Sequence, residues 1–196
     1  ETFNYTQDDT TDEDQVVRLR GNDANRQLGP GKLLEVMAGD VVNMEVFAYH
    51  SAGYTDNGNV ASTAFINTLI GMINGTTPVG LEGSAVQNAI NPNVGDVFVG
   101  DDETSNTAPR TYLNYILFDK DFGYIDAGFV QVSNATTTHD THQALNSSRA
   151  ITEKGYIYVY VSNESNNSHD VYFDDLRVTH VKSKILQEDH YYPFGI

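Results

Sequence analysis

Residues 156–162 read Tyr-Ile-Tyr-Val-Tyr-Val-Ser, a strict alternation that suits a β-strand and breaks the periodicity of a helix. In a strand, successive side chains point to opposite sides. Ile157, Val159 and Val161 therefore share one face, and that aliphatic face belongs in a core. The other face carries three tyrosines: Tyr156, Tyr158 and Tyr160. It is either a second covered face, packed on a helix or a crossing loop, or a platform for a ligand.

Further strands are predicted along the chain. Their ranges are 16–20, 33–37, 41–49, 112–119, 127–133 and 171–181. Residues 28–31 predict a turn, and Ala38-Gly39-Asp40 predicts the tight turn of a hairpin between the second and third of these strands. Apolar residues at helical spacing predict one helix over 60–73. Strands separated by turns, with one inserted helix, predict an all-β antiparallel sandwich. In the strand at 41–49, one face is apolar and the other is polar first and aromatic later. The residues predicted for the core of the sandwich are Val42, Met44, Val46, Ile157, Val159, Val161 and Phe173.

The charge of the chain excludes several partners. Eleven basic against 27 acidic residues give a formal net charge of −16. Duplex nucleic acid and anionic membrane surfaces both require clustered lysine and arginine, so neither is an expected partner. No apolar run approaches the length of a membrane span, and no membrane insertion is expected. The absence of cysteine excludes disulfides, thiol catalysis and cysteine-ligated zinc.

No catalytic constellation is visible, and we expect a non-enzyme. None of the six histidines stands in the context of an activated serine or threonine. The segment His139-Asp140-Thr141-His142 either offers two nitrogens and a carboxylate to a metal or is a polar surface loop. Paired carboxylates cannot be judged from sequence, because their separation in space decides their chemistry.

Glycan binding is a second hypothesis. Sugar sites use aromatic rings as apolar platforms flanked by amides and carboxylates. The chain has no tryptophan, so tyrosines are the candidates. The predicted ligand-binding residues are Tyr49, Tyr54, Tyr112, Tyr115 and Tyr124.

Residues 171–178, Val-Tyr-Phe-Asp-Asp-Leu-Arg-Val, resemble the final strand of galactose-binding-like jelly rolls, the fold of many carbohydrate-binding modules. The change of parity at Asp174-Asp175 predicts a bulge. The resemblance implies a jelly-roll sandwich and one structural calcium ion between the start of the fold and its last strand. The implied ligands are Asp174, Asp175, Glu1 and Asn4, with Asp23 and Asp40 behind them. Alternatively, both aspartates of the bulge accept hydrogen bonds from turn amides or face solvent.

The segment His190-Tyr191-Tyr192-Pro193-Phe194-Gly195 is similar to a signature of RHS-repeat proteins of Bacteroidetes. Segments of similar context lie at 28–31, 36–40, 112–115, 118–119 and 155–164. The resemblance implies a sandwich module over 1–184 and a tail over 185–196 that forms the first strand of an RHS core.

The RHS resemblance also implies a role and a place. The chain would be a non-catalytic spacer or interaction module of a large secreted or cell-surface bacterial protein. Its partner would be the rest of the same polypeptide, reached through residues 185–196, which are rich in apolar side chains. A carbohydrate-binding module is the alternative. A chain that starts at Glu1 is expected to be a mature form or an excised fragment.

Overall fold

The computed structural model describes residues 16–23, 25–50, 54, 108–134, 142–165 and 167–183, and the backbone of residues 2–5. The helix predicted over 60–73 and the tail at 185–196 lie outside these ranges. Within them, no helix is long and apolar enough to cross a membrane.

Nine strands make up the described part of the chain. They are β1 (Thr2–Tyr5), β2 (Val17–Arg20), β3 (Leu28–Val36), β4 (Val41–His50), β5 (Thr111–Asp119), β6 (Tyr124–Gln131), β7 (Gln143–Ala150), β8 (Gly155–Asn163) and β9 (Asp170–Val181). Sheet A has the order β1-β9-β4-β7, with β2 on the other half of β9, and sheet B has the order β3-β8-β5-β6. Every pairing is antiparallel.

One apolar core lies between the two sheets, so the predicted all-β antiparallel sandwich is confirmed. Sheet B contributes the aliphatic face of β8, and sheet A contributes the alternate residues of β4 together with Phe173 and Val178 of β9. Side chains of this core are at most a few per cent exposed. The predicted core residues all belong to it: Val42, Met44, Val46, Ile157, Val159, Val161 and Phe173.

The predicted hairpin between β3 and β4 is wrong. β3 pairs with β8, whereas β4 pairs with β7 and β9, so the tight turn carries the chain from sheet B to sheet A. Gly39 adopts φ +90°, a left-handed conformation that glycine accepts without strain, and its amide donates to the carbonyl of Ile151 at 2.8 Å. The turn is thereby tied to the end of β7, and no hairpin ladder forms.

The buried side chain of Asp40 stabilises the turn between β3 and β4, the corner at which the chain passes from sheet B to sheet A. Its side chain accepts hydrogen bonds from the amide of Met37 at 2.9 Å, from the amide of Ser183 at 2.7 Å and from Nε2 of His180 at 2.7 Å. Burial by itself would raise the pKa of Asp40. The three donors outweigh that effect and lower the pKa to about 2. The carboxylate therefore joins the turn to the end of β9.

Two other segments differ from the predicted elements. Residues 28–31 are not a turn; they begin β3, with a register shift between Leu28 and Gly31. A Cβ at Gly31 would lie 2.6 Å from the Tyr158 hydroxyl, so close packing, rather than a turn, requires this glycine. β7 was not predicted, because only Leu145 in it is buried and its other residues are polar or small.

The bulge predicted in the last strand is confirmed. The register of β9 against β4 shifts between Glu45, which is opposite Arg177, and Phe47, which is opposite Asp174, and Asp175 within this shift has φ +49°. At this point β9 changes partner on its other edge: residues 170–173 pair with β2, and residues 176–179 pair with β1.

We expect Val159→Asp to unfold the sandwich or lower its free energy of unfolding by at least about 4 kcal/mol, because an unpaired charge would enter the core. The matched control is Val181→Asp, since Val181 is 49 % exposed at the end of β9. Urea unfolding measures both variants. Equal stability of the two would contradict the assigned core.

Asp40→Asn should destabilise the chain by about 2 kcal/mol at pH 7. The folded pKa of Asp40, about 2, lies below its ordinary value of 3.8. Its stabilisation is therefore complete above pH 4 and is lost as the pH falls toward 2. The stability difference between the variant and the parent should shrink over that interval in denaturant titrations. Asp121→Asn, at a carboxylate exposed in the turn between β5 and β6, is the control. A difference that is independent of pH would refute this role of Asp40.

Candidate functional site

The outer face of sheet A is open and polar. On β4 the core-facing residues alternate with outward ones, and cross-strand partners share a face. Asn43 therefore stands between Ser148 of β7 and Thr179 of β9, and in the next row Glu45 stands between Asn146 and Arg177. We call these six residues the open face: Asn43, Glu45, Asn146, Ser148, Arg177 and Thr179.

A groove of about 480 Å³ runs over the open face. Its lining offers amide, hydroxyl, carboxylate and guanidinium groups on three adjacent strands. The Ser148 hydroxyl donates to Oδ1 of Asn43 at 2.8 Å, which orients that amide. Glu45 and Arg177 contribute one charge of each sign. The groove is thus neutral on a chain whose net charge is −16.

Aromatic rings continue the same face beyond the polar rows. Tyr49 and Tyr172, partners across β4 and β9, stack with ring centroids 4.8 Å apart and planes at 7°. The rings of Phe47 and His142 pack edge to face, with their centroids 4.4 Å apart and their planes at 64°. All of these aromatic rings remain partly or fully exposed, so the face passes from hydrogen-bonding groups to apolar ring surface within a few residues of β4.

The other four predicted tyrosines lie apart from this face. Tyr54 contacts the ring of His169, with centroids 5.3 Å apart. Tyr112 is 5 % exposed and lies against Phe129 on the outer side of sheet B. The structure therefore places only Tyr49 of the five predicted residues beside the groove.

Tyr115 and Tyr124 lie near one carboxylate at the margin of the sandwich. The Tyr115 hydroxyl donates to Asp126 at 3.3 Å, and Arg149 bridges to the same carboxylate at 2.8 Å. Burial, followed by the charge of Asp126, raises the pKa of both tyrosines. These contacts hold the two strands β6 and β7 together across the sandwich margin.

Two of the three tyrosines in the β8 stripe, Tyr158 and Tyr160, lie on a covered second face, whereas Tyr156 is partly exposed and stacks on Phe122. Tyr158 and Tyr160 are at most 1 % exposed, and burial raises the pKa of Tyr158 to about 12. Next to them, Ser162 donates to Glu164 at 2.8 Å and accepts from Asn114 at 2.9 Å. Burial raises the pKa of Glu164 to about 8, against the opposing effects of Ser162 and Arg110, so this carboxyl is mostly protonated at neutral pH.

The predicted calcium ligands are only partly within the described chain. Oδ1 of Asp174 accepts from the amide of Asp175 at 2.8 Å. Glu1 lies outside the described residues, and Asn4 is described only as backbone, opposite Arg177. The Asp40 carboxylate accepts hydrogen bonds from Met37, His180 and Ser183 at the turn between β3 and β4. In the described ranges no group of three or more His, Cys, Asp or Glu side chains could hold a metal ion. The calcium ion stays a prediction.

Comparisons with known proteins give distant structural similarity alone. No protein-family model matches the chain, and no curated protein matches it. A solved structure of Clostridium thermocellum endo-1,4-β-D-xylanase 10B, its N-terminal CBM22-1 and GH10 modules complexed with xylohexaose, is 10 % identical with a TM-score of 0.37. The match covers 91 % of this chain and 26 % of that one. A similarity of this size does not establish a common ligand, and nothing in these comparisons points to RHS proteins.

If calcium binds at the bulge, millimolar calcium should raise the melting temperature by a few degrees over excess chelator, because a ligand of the folded state stabilises it. Asp175→Asn should abolish the shift. Asparagine tolerates the left-handed conformation of this residue, so the substitution tests charge without adding strain. Asp121→Asn should keep the shift. A melting temperature indifferent to calcium in the parent chain would end the hypothesis.

Proposed function

We propose that the chain is a non-catalytic glycan-binding module that holds an uncharged oligosaccharide on the open face of sheet A. The observation that carries this proposal is the groove of about 480 Å³, lined by hydrogen-bonding side chains from three adjacent strands. It is large enough for a few sugar units. Its lining includes a single carboxylate, whereas glycoside hydrolysis ordinarily requires two.

The chemistry of the lining suits sugar hydroxyls, each of which is both donor and acceptor. The amides of Asn43 and Asn146 also donate and accept, Glu45 accepts, and Arg177 donates in a fixed fork. All four stand on paired strands, so their spacing is set by the ladder before a ligand arrives. Preorganised partners reduce the entropy lost on binding.

The aromatic end of the face suits the apolar side of a sugar ring. Tyr49 and Tyr172 are already stacked on each other, which restrains both rings. Their remaining exposed surface, with that of Phe47, can pack against sugar C–H groups. The outward residues change from polar to aromatic along β4, which fits an elongated oligosaccharide lying along this strand.

Charge favours a neutral glycan over an acidic one. Glu45 and Arg177 stand opposite each other in register, so the groove itself has no net charge. The rest of the chain is strongly acidic and would repel a polyanion. The same argument disfavours nucleic acid.

A role within a larger RHS-type polypeptide is compatible with this proposal. It rests on the motif resemblance alone, as do the galactose-binding-like jelly-roll topology and the secreted or cell-surface location that the resemblance implies. A binding face on sheet A would still be available if residues 185–196 joined a neighbouring unit.

A glycan array with the intact chain, followed by calorimetry on the best ligand, tests the proposal. We expect binding at micromolar concentrations. Asn146→Ala and Tyr49→Ala should each weaken it about tenfold or more, because each removes a contact of about 1.4 kcal/mol. Lys154→Ala, at an exposed side chain of the turn between β7 and β8, should leave it unchanged. Silence on the array, or equal binding by all variants, would contradict the proposal.

A further inference from the structure

Two histidines meet at one end of the sandwich, away from the groove residues. His50 is the last residue of β4, faces inward and is 1 % exposed. His169 directly precedes β9 and is partly buried. Nδ1 of His50 lies 3.2 Å from Nε2 of His169, with the ring planes at 68°.

The protons of this pair are determined by their surroundings. Nε2 of His50 lies 2.9 Å from the carbonyl oxygen of Ser133, which can only accept, so this nitrogen carries a proton. In the neutral ring, Nδ1 of His50 then carries no proton and presents a lone pair. It is directed at His169, whose Nε2 supplies a proton to the contact when no other group lies between the rings.

We propose that His50 and His169 form a binding site for a divalent first-row transition metal of the zinc class. Two imidazole nitrogens bound to one tetrahedral metal at about 2.0–2.1 Å are separated by roughly 3.3 Å. The observed separation of 3.2 Å matches that spacing. The two nitrogens now face each other in a hydrogen bond, so rotation of the imidazole rings, without a change in their separation, would turn both lone pairs onto the metal. On binding, the His169 proton moves from Nε2 to Nδ1, so both lone pairs face the metal and the neutral pair loses no proton.

The surroundings support the ligand role. The bond from His50 Nε2 to the Ser133 carbonyl is the outer contact that orients metal-binding histidines and fixes their tautomer. Tyr54 packs edge-on against His169 and restrains its ring.

The donor set selects the metal. Imidazole nitrogen suits zinc, nickel and copper, whereas calcium and magnesium require oxygen ligands. The nearest acidic neighbour along the chain, Asp170, is held by two hydrogen bonds of 2.8 Å from Arg20. The described residues therefore supply two ligands, and water completes the coordination. Two ligands predict micromolar rather than nanomolar affinity. The site does not depend on glycan binding.

The test is calorimetry and thermal melting of the tag-free chain with ZnCl₂ and, separately, with CaCl₂. We expect one zinc ion per chain and a rise in melting temperature of about 5 °C at millimolar zinc. His169→Gln should abolish both effects, since glutamine retains a donor but lacks an imidazole ligand. His142→Gln, at the exposed histidine packed on Phe47, should bind zinc like the parent chain.

A second readout separates metal binding from a structural role of the pair. In ¹⁵N-resolved NMR spectra of the histidine rings, zinc should shift the Nδ1 resonance of His50 and the Nε2 resonance of His169 and leave His180 unchanged. Calcium should shift none of them. Zinc binding that survives His169→Gln, or a parent chain that binds no zinc at millimolar concentration, would overturn the proposal.

Discussion

The whole arrangement depends on one apolar core that takes a single face from each sheet. Val42, Met44 and Val46 of β4 meet the aliphatic face of β8 across that core. Because strand side chains alternate, this burial directs Asn43 and Glu45 outward. The outer sides of the two sheets then differ. That of sheet B is covered, with Tyr158 and Tyr160 buried in it, while that of sheet A is open and polar. A ligand from solution can therefore reach sheet A across a broad surface.

The corner at Asp40 joins the two sheets on which this core is built. A tight turn between consecutive strands ordinarily makes a hairpin, yet here it crosses from sheet B to sheet A. The bonds from His180 and Ser183 attach the turn to the end of β9, so the crossing is stabilised by contacts 140 and 143 residues away in sequence. The pairing of β4 with β9, and with it the open face, follows from this crossing.

Local alternation made part of this structure predictable. The strand parities of residues 41–49 and 156–162 and the bulge at Asp174-Asp175 are all visible in short stretches of sequence and are confirmed. The pairing of the strands could not be predicted from the sequence, because a short turn can join two strands of a hairpin or two strands that lie in different sheets. Gly31 resembles a turn residue, although the Tyr158 hydroxyl above it is what requires glycine.

The candidate site was harder to predict than the fold. Its polar rows join Glu45 to residues about 100 and 130 positions later, and only the sheet order brings them together. β7 lacks an apolar stripe and was not recognised as a strand, so Asn146 and Ser148 had no predicted place. One local signal for the site was present in the sequence: the alternation in residues 41–49 places the polar side chains of Asn43 and Glu45 on one face of β4. The tyrosines were predicted to bind a ligand because they are aromatic, but several of them are buried and serve packing instead.

Ligand binding is proposed for the outer face of sheet A. Backbone ¹⁵N NMR of the chain, titrated with the neutral oligosaccharide that binds best on the array, tests it most directly. The shifted resonances should cluster on the outward residues of β4, β7 and β9. Resonances of Tyr112 and Tyr158, on the covered side of sheet B, should stay in place. Shifts concentrated on sheet B, with the open face unperturbed, would contradict it.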